Sequence, residues 1–285
     1  FNYHYFQKQY ENDIVKNNDE EKTKQLKKLV TPFILRRNKK EVLTELPDKI
    51  EQNMILPFND EEEKIYVANL AKANKELQEL YDIEGSDKMQ ILKLLTRLRQ
   101  ICLEPRLVYD NIDQPSSKLK ACMELIKTMQ ENKQKVLIFS SFTSVLDLIA
   151  EECQKAGITY YMLTGSTNKE DRRELVSRFQ KDDTTLFLIS LKAGGTGLNL
   201  TSAEAVIHFD PWWNVSAQNQ ATDRAYRIGQ KNNVQVFNLV MKDSVEEKII
   251  ELQKRKKELA DMFVENNSGG LSQMSKEDIL SLFTM

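Results

Sequence analysis

Residues 135–190 read KVLIFSSFTSVLDLIAEECQKAGITYYMLTGSTNKEDRRELVSRFQKDDTTLFLIS. Three short apolar runs, KVLIFSSF, TYYMLT and TLFLIS, are separated by two helical stretches, TSVLDLIAEECQKAG and NKEDRRELVSRFQ. Gly157 closes the first helix, as glycine commonly does after a helix C-terminus. Strands alternating with helices of this length predict a parallel sheet with helices on both faces. The rhythm continues outward. SSKLKACMELIKTMQEN (116–132) is an amphipathic helix with serines at its start. AVIHF (205–209) and VQVFNLV (234–240) are further strands, and EEKIIELQKRKKELADMF (246–263) is a helix. A loop, NNSGG, and a short capped helix, SKEDILSLF, follow.

Residues 1–115 have a different texture, mostly helical and highly charged. TKQLKKLVTPFILRR alternates basic and apolar residues until Pro32 breaks it. LPDKIEQNMILPF lies between Pro47 and Pro57, and Ile50, Gln52, Met54 and Leu56 share one parity, which predicts a short strand. NDEEEKIYVANLAKANKELQELY (59–81) predicts a long helix with Ile65, Leu70, Leu77 and Leu80 on its apolar side. MQILKLLTRLRQICLEP (89–105) predicts another, carrying Leu92, Leu95, Leu98 and Ile101 or Cys102 and ending at Pro105.

Composition narrows the function classes. The chain has 285 residues, 40% of them hydrophobic, which is enough to bury a core and excludes wholesale disorder. Only 9 glycines and 6 prolines argue against collagen-like, low-complexity and turn-dense all-β classes. No apolar run approaches the roughly 18 residues of a membrane span, and the first residues lack a signal-peptide pattern. Phe1 stands where an initiator Met would, which is expected of a piece of a longer protein. Cys102, Cys122 and Cys153 are widely spaced, which points to buried free thiols rather than a disulfide framework or zinc site. With 2 histidines, a histidine metal site is a poor expectation. The net charge is −2, so any binding to phosphates must come from a local arrangement.

Two stretches carry candidate chemistry. In LISLKAGGTGLNLTSAEAVIHFDPWWN (188–214), three glycines fall within Gly194–Gly197 directly after a strand. They suit either phosphate contact through backbone N–H groups or a tight structural turn. Neither a P-loop nor the dinucleotide GxGxxG is present. In QNQATDRAYRIGQ, Arg224 and Arg227 are three apart, so a helix would place both on one side. Arginine suits phosphoryl transfer, although spacing alone favours a solvated face salt-bridged to Asp223. Trp212 and Trp213 follow Asp210 and Pro211 just past a strand end, where open α/β sheets place their sites. Two adjacent tryptophans are hard to bury together, so one is expected at the surface. His208 reads as a structural strand residue, and Lys254–Lys257 as a solvated helix face.

Taken together, six ordered segments resemble the C-terminal half of a SWI/SNF-family helicase-like ATPase, within helicase superfamily 2. TPFILRRNKKEVLTELPDKIE is similar to the segment that ends the family's first lobe, and LLTRLRQICLEPRLV to its LRxxCxHPxL segment, with Glu104 in place of His. SSKLKACMELI with KVLIFSSF, LTGSTNKEDRRELVSRFQ, ISLKAGGTGLNLTSAEAVIHFDPWWN and QATDRAYRIGQKNNVQVFNLV resemble the successive motifs of the second lobe. Ser141 stands where Gln is frequent, and Val215 where Pro is usual.

The resemblance implies an α/β, RecA-like parallel sheet flanked by helices. It implies residues 1–57 as the end of the first lobe and connector, 58–115 as a helical protrusion, 116–265 as the second lobe and 266–285 as a tail helix. It implies ATP and Mg2+, held mainly by a first lobe whose P-loop and DEAH-like carboxylates this sequence lacks. Arg224 and Arg227 become arginine fingers. Gly195, Gly197 and Gln220 lie at the nucleotide, and Asp210 and Trp213 couple turnover to movement. Ser140, Thr164, Gly165, Lys192 and Ala193 face the backbone of double-stranded DNA, and no membrane is a partner. A cytoplasmic, nucleoid-associated place is expected of a bacterial member. Residues 49–56, as an edge of the missing lobe's sheet, are expected to be disordered, folded back or paired with a second copy. The rival readings are a dinucleotide-binding domain, which lacks its glycine fingerprint here, and a non-catalytic RecA-like module, in which both arginines would be buried.

Overall fold

The computed structural model describes residues 46–81, 88–194 and 197–263, together with residues 6, 9, 10, 14, 19–30 and 282. Two units are distinguished, one of residues 1–45 with 256–267, the other of residues 46–255 with 268–285. In the first, helix α1 (Glu20–Val30) ends two residues before Pro32, where the chain is biased away from helix.

The second unit is built on a six-stranded sheet. Its strands are β1 (Lys49–Leu56), β2 (Val136–Ser140), β3 (Tyr160–Leu163), β4 (Leu186–Ser190), β5 (Ala205–His208) and β6 (Val234–Met241). They lie in the order β1-β6-β5-β2-β4-β3, and every pairing is parallel. The helices are α2 (Asp60–Tyr81), α3 (Lys88–Leu103), α4 (Ser117–Glu131), α5 (Thr143–Lys155), α6 (Lys169–Lys181), α7 (Leu191–Gly194), α8 (Val215–Thr222) and α9 (Val245–Phe263). The predicted α/β, RecA-like class is the observed one.

Alternate side chains of the central strands serve opposite faces, as a two-residue period requires. Ile138, Leu188, Ile207 and Leu239 pack with Leu119, Cys122 and Ile126 of α4 and Ile149 and Cys153 of α5. Leu137, Phe187, Val206 and Val236 form the other core with Phe179 of α6 and Ala221 of α8. All three cysteines are buried and free. Burial pushes the Cys153 thiol up to about 12.

Strand β1 corrects one expectation. Residues 49–56 are paired in parallel with β6 along their whole length, from Lys49 beside Val234 to Leu56 beside Met241. They belong to this sheet, not to an edge left behind by another lobe. The reason lies in β6, which is buried almost throughout and longer than β5. Its outer N–H and C=O groups need a partner strand. Met54 and Leu56 reach the first core, while Glu51 and Asn53 accept from the Asn238 amide at 3.2 and 2.9 Å.

Helices α2 and α3 pack through Tyr66, Leu70, Ala73 and Leu77 against Ile91, Leu95, Leu98 and Cys102, closed by Val245, Ile249 and Leu252 of α9. Asn59 caps α2, accepting from the Glu62 N–H, while Glu62 accepts from the Asn59 N–H, a reciprocal capping box. The other Glu62 oxygen accepts the Ser117 N–H at 2.6 Å, joining the starts of α2 and α4. Ser116 caps α4 by accepting from the Leu119 N–H.

Candidate functional site at the carboxyl edge of the sheet

Because all the strands run in one direction, their carboxyl ends share one edge, where open α/β sheets bind ligands. Ser140 ends β2 there, and Thr164, Leu191 and Phe209–Asp210 follow β3, β4 and β5. The sequence candidates are therefore assembled on one side of the molecule from well-separated segments.

After β4 the chain turns through α7. Lys192 is exposed, and Ala193 and Gly194 are buried. The Ala193 N–H contacts the Ser190 hydroxyl oxygen at 3.4 Å, and its carbonyl accepts from Arg172 at 3.3 Å. Ala193 is thus buried, with both its N–H and its carbonyl engaged within the chain. A Cβ on Gly194 would stand 2.9 Å from Phe139 Cε1, so only glycine fits between this turn and the buried ring. Gly195 lies outside the described residues. Gly197 is exposed, with open space where a Cβ would go.

The arginines differ from expectation in their setting. Helix α8 ends at Thr222, and residues 223–229 form turns, so Arg224 and Arg227 are not neighbours on a helix face. The last bonds tighten to three-residue spacing, Arg224 N–H to the Ala221 carbonyl and Ala225 N–H to that of Thr222, and Gly229 takes a positive φ of 101°. Arg224 is half-buried and donates Nε–H to the Gly194 carbonyl at 2.9 Å, joining the turns after β4 and α8. Burial, then the charge of nearby Arg227, holds its guanidinium below the usual arginine range. Arg227 and Gln220 are exposed.

Thr164 and Gly165 lie on the loop after β3. The Thr164 N–H donates to the Thr167 hydroxyl oxygen at 3.1 Å, and Gly165 is exposed. Ser140 is buried, with its hydroxyl donating to Asp210 Oδ1 at 2.7 Å. It forms the floor of the edge. Asp210 also accepts from the Ser141 N–H at 2.9 Å, the Ser141 hydroxyl and Arg99 of α3. The carboxylate thus ties the end of β2 to the loop after β5 and to α3. Trp213 is 7% exposed and Trp212 half-buried, so neither projects freely. Asn214 caps α8 through the Ala217 N–H, with Val215 in the first helical position.

Beneath the edge lies a set of paired polar groups. His208 is buried, hydrogen-bonded to the Thr222 hydroxyl at 2.9 Å, and burial lowers its pKa to about 4. Gln218 donates to Asn238 at 3.0 Å, and Gln253 of α9 donates to the Trp212 carbonyl. Sequence reasoning missed Arg99 and the ion pair of Lys118 with Glu246, whose side chains are 0% and 1% exposed and 2.7 Å apart. The available signal was a charge at a buried register. Arg99 follows Leu98 and comes four after Leu95, on the apolar side of α3. Glu104, the departure from the family's His, is buried, paired with Arg106 at 3.0 Å, and accepts the Ser116 N–H.

These features define a RecA-like lobe that carries an arginine-bearing turn at the carboxyl edge of its sheet. The family described as Helicase conserved C-terminal domain matches residues 117–229, and that described as SNF2-related domain matches residues 1–107. The chain is 36% identical over 98% of its length to the putative ATP-dependent helicase/translocase YwqA of Bacillus subtilis, and 35% identical over 97% to an ATP-dependent helicase of Mycoplasma pneumoniae. It spans 31% and 26% of the lengths of those two relatives. Among solved structures it is similar to the C-terminal part of the Fun30 ATPase domain, with TM-score 0.68 and 26% identity, over 84% of this chain and 98% of that one. It is also similar to the Sulfolobus solfataricus SWI2/SNF2 ATPase core in complex with double-stranded DNA, with TM-score 0.68 and 32% identity, over 99% of this chain and 60% of that one. The chain thus carries regions that match the SNF2-related and helicase C-terminal domain families, and it is similar to ATPases of the SWI/SNF kind.

Proposed function

We propose that this chain is the C-terminal part of an ATP-driven translocase on double-stranded DNA, and that Arg224 and Arg227 act on ATP held between it and the first lobe of the same protein. The observation that carries this reading is the pairing of a braced arginine with an exposed one at the strand-end edge. Phosphoryl transfer needs fixed positive charge where negative charge accumulates, in a cleft that excludes water. Arg224 is oriented by the Gly194 carbonyl, and Arg227 is presented to the surface. A module in which both arginines were structural would bury both, and the exposure of Arg227 speaks against it.

ATP supplies the transferable phosphoryl group, and this chain's part is to place positive charge beside it. Among the described residues no group of three His, Cys, Asp or Glu side chains could hold a metal ion. The Mg2+ that the resemblance implies is assigned in this reading to the first lobe. Thr164, Gly165 and Lys192, on adjoining loops of the same edge, are the proposed duplex contacts. They meet phosphates and carry no sequence information. Asp210 and Trp213 form the proposed link between ATP turnover and movement, in a cytoplasmic setting.

The test is Arg227→Ala in the longer protein. Duplex-stimulated turnover should fall by roughly 10³-fold or more with ATP affinity largely spared. Loss of affinity with turnover intact would make Arg227 a ground-state binding residue and overturn the finger assignment.

A further inference from the structure

Arg99 is enclosed to an unusual degree for an arginine. Its side chain is 7% exposed and donates to Asp210 Oδ2 at 2.9 Å, to the Ser141 hydroxyl oxygen at 3.1 Å and to the Pro211 carbonyl at 3.4 Å. Its guanidinium carbon lies 5.0, 5.5 and 5.3 Å from the ring centroids of Phe142, Trp212 and Trp213. A buried cation is costly unless both its charge and its donors are answered. Here the carboxylate answers the charge, the Ser141 hydroxyl and Pro211 carbonyl oxygens share the Nη2 donors with it, and three aromatic rings surround the group.

The contacts join three elements that differ in their place in the fold. Arg99 stands on helix α3, Ser141 and Phe142 follow β2, and Asp210–Trp213 follow β5. The same loop is held from the other side, where the Trp212 N–H reaches Gln218 of α8 at 3.3 Å and its carbonyl accepts from Gln253 of α9. Helix α8 leads directly into the turn that bears Arg224. A displacement of α3 would therefore be transmitted to the loop through Arg99, and from the loop to α8.

We propose that Arg99 is a positioning residue that fixes the Asp210–Trp213 loop and so links the helical protrusion to the arginine-bearing edge. The loop's part in coupling rests on the functional reading above, whereas the positioning does not, and the two are tested separately.

The chain contains 2 tryptophans, both in this loop, so tryptophan emission excited selectively over the 9 tyrosines reads the loop alone. In the full chain, Arg99→Met should shift the emission to the red and raise acrylamide quenching at least about twofold through local opening. The far-UV circular dichroism should be retained. Asp210→Asn, which keeps the side-chain shape and removes the charge, provides a second variant and should shift the fluorescence in the same direction. Native emission and quenching in either folded variant would overturn the positioning role. In the longer protein, Arg99→Met should reduce duplex movement more than ATP turnover. Parallel loss of both would reduce Arg99 to a support of the fold and overturn the link. Failure of the functional reading would show elsewhere, as turnover that does not depend on Arg227.

Discussion

Arg224 donates its Nε hydrogen to the Gly194 carbonyl at 2.9 Å, so the turn after β4 and the turn after α8 act as one unit. Gly194 is also the residue whose missing Cβ lets that turn lie against Phe139. The arginine's orientation thus depends on a contact between backbone and aromatic ring in the core.

Gly194→Ala should destabilise the chain by about 1–3 kcal/mol through overpacking. Phe139 cannot yield easily, because it is buried and stacked on His208 with centroids 5.7 Å apart. Urea denaturation would measure the loss, and adding Phe139→Leu should recover part of it. An unchanged midpoint for the single variant would show that the turn relaxes freely.

Lys118→Met leaves the Glu246 carboxylate buried without its cation, and should cost about 3–5 kcal/mol. Burial already raises the Glu246 pKa even with Lys118 present. Adding Glu246→Gln removes the orphaned charge while keeping an acceptor for the Met241 N–H, now 2.8 Å from Glu246. The double variant should be more stable than Lys118→Met alone in a denaturant double-mutant cycle. A strictly additive loss would contradict direct coupling of the pair.

His208 gives the chain an acid-side dependence. Burial depresses its pKa to about 4 from the usual 6.5, with the Glu51 and Asp210 charges opposing the shift. Above pH 6.5 both folded and unfolded chains carry it neutral, and nothing is lost. As pH falls towards 4 the unfolded chain takes up the proton first, and stability declines by up to about 3 kcal/mol. Melting temperatures at pH 7.5 and 5 should therefore drop further for the native chain than for His208→Gln, which cannot titrate. Equal drops would remove His208 from the account.

The sequence by itself determined the alternation of strands and helices from Ser116 onward, because fully buried parallel strands and amphipathic helices have distinct periods that need no distant partner. It also determined the glycine-rich turn and the family resemblance, since those reside in ordered local motifs. Tertiary structure decided the rest. The eight residues from Lys49 join this sheet because β6 needs a neighbour, a demand arising some 180 residues away. Ser140 and Ala193 look like surface residues in a motif and are buried when Asp210 and Arg172 fold onto them. Arg224 and Arg227 seem to share a helix until the chain leaves it at Thr222. Arg99 reads as one charge on a charged helix and becomes the centre of an aromatic enclosure. In each case the deciding partner is distant in sequence, and hydrogen bonding and desolvation depend on partners that local patterning does not encode.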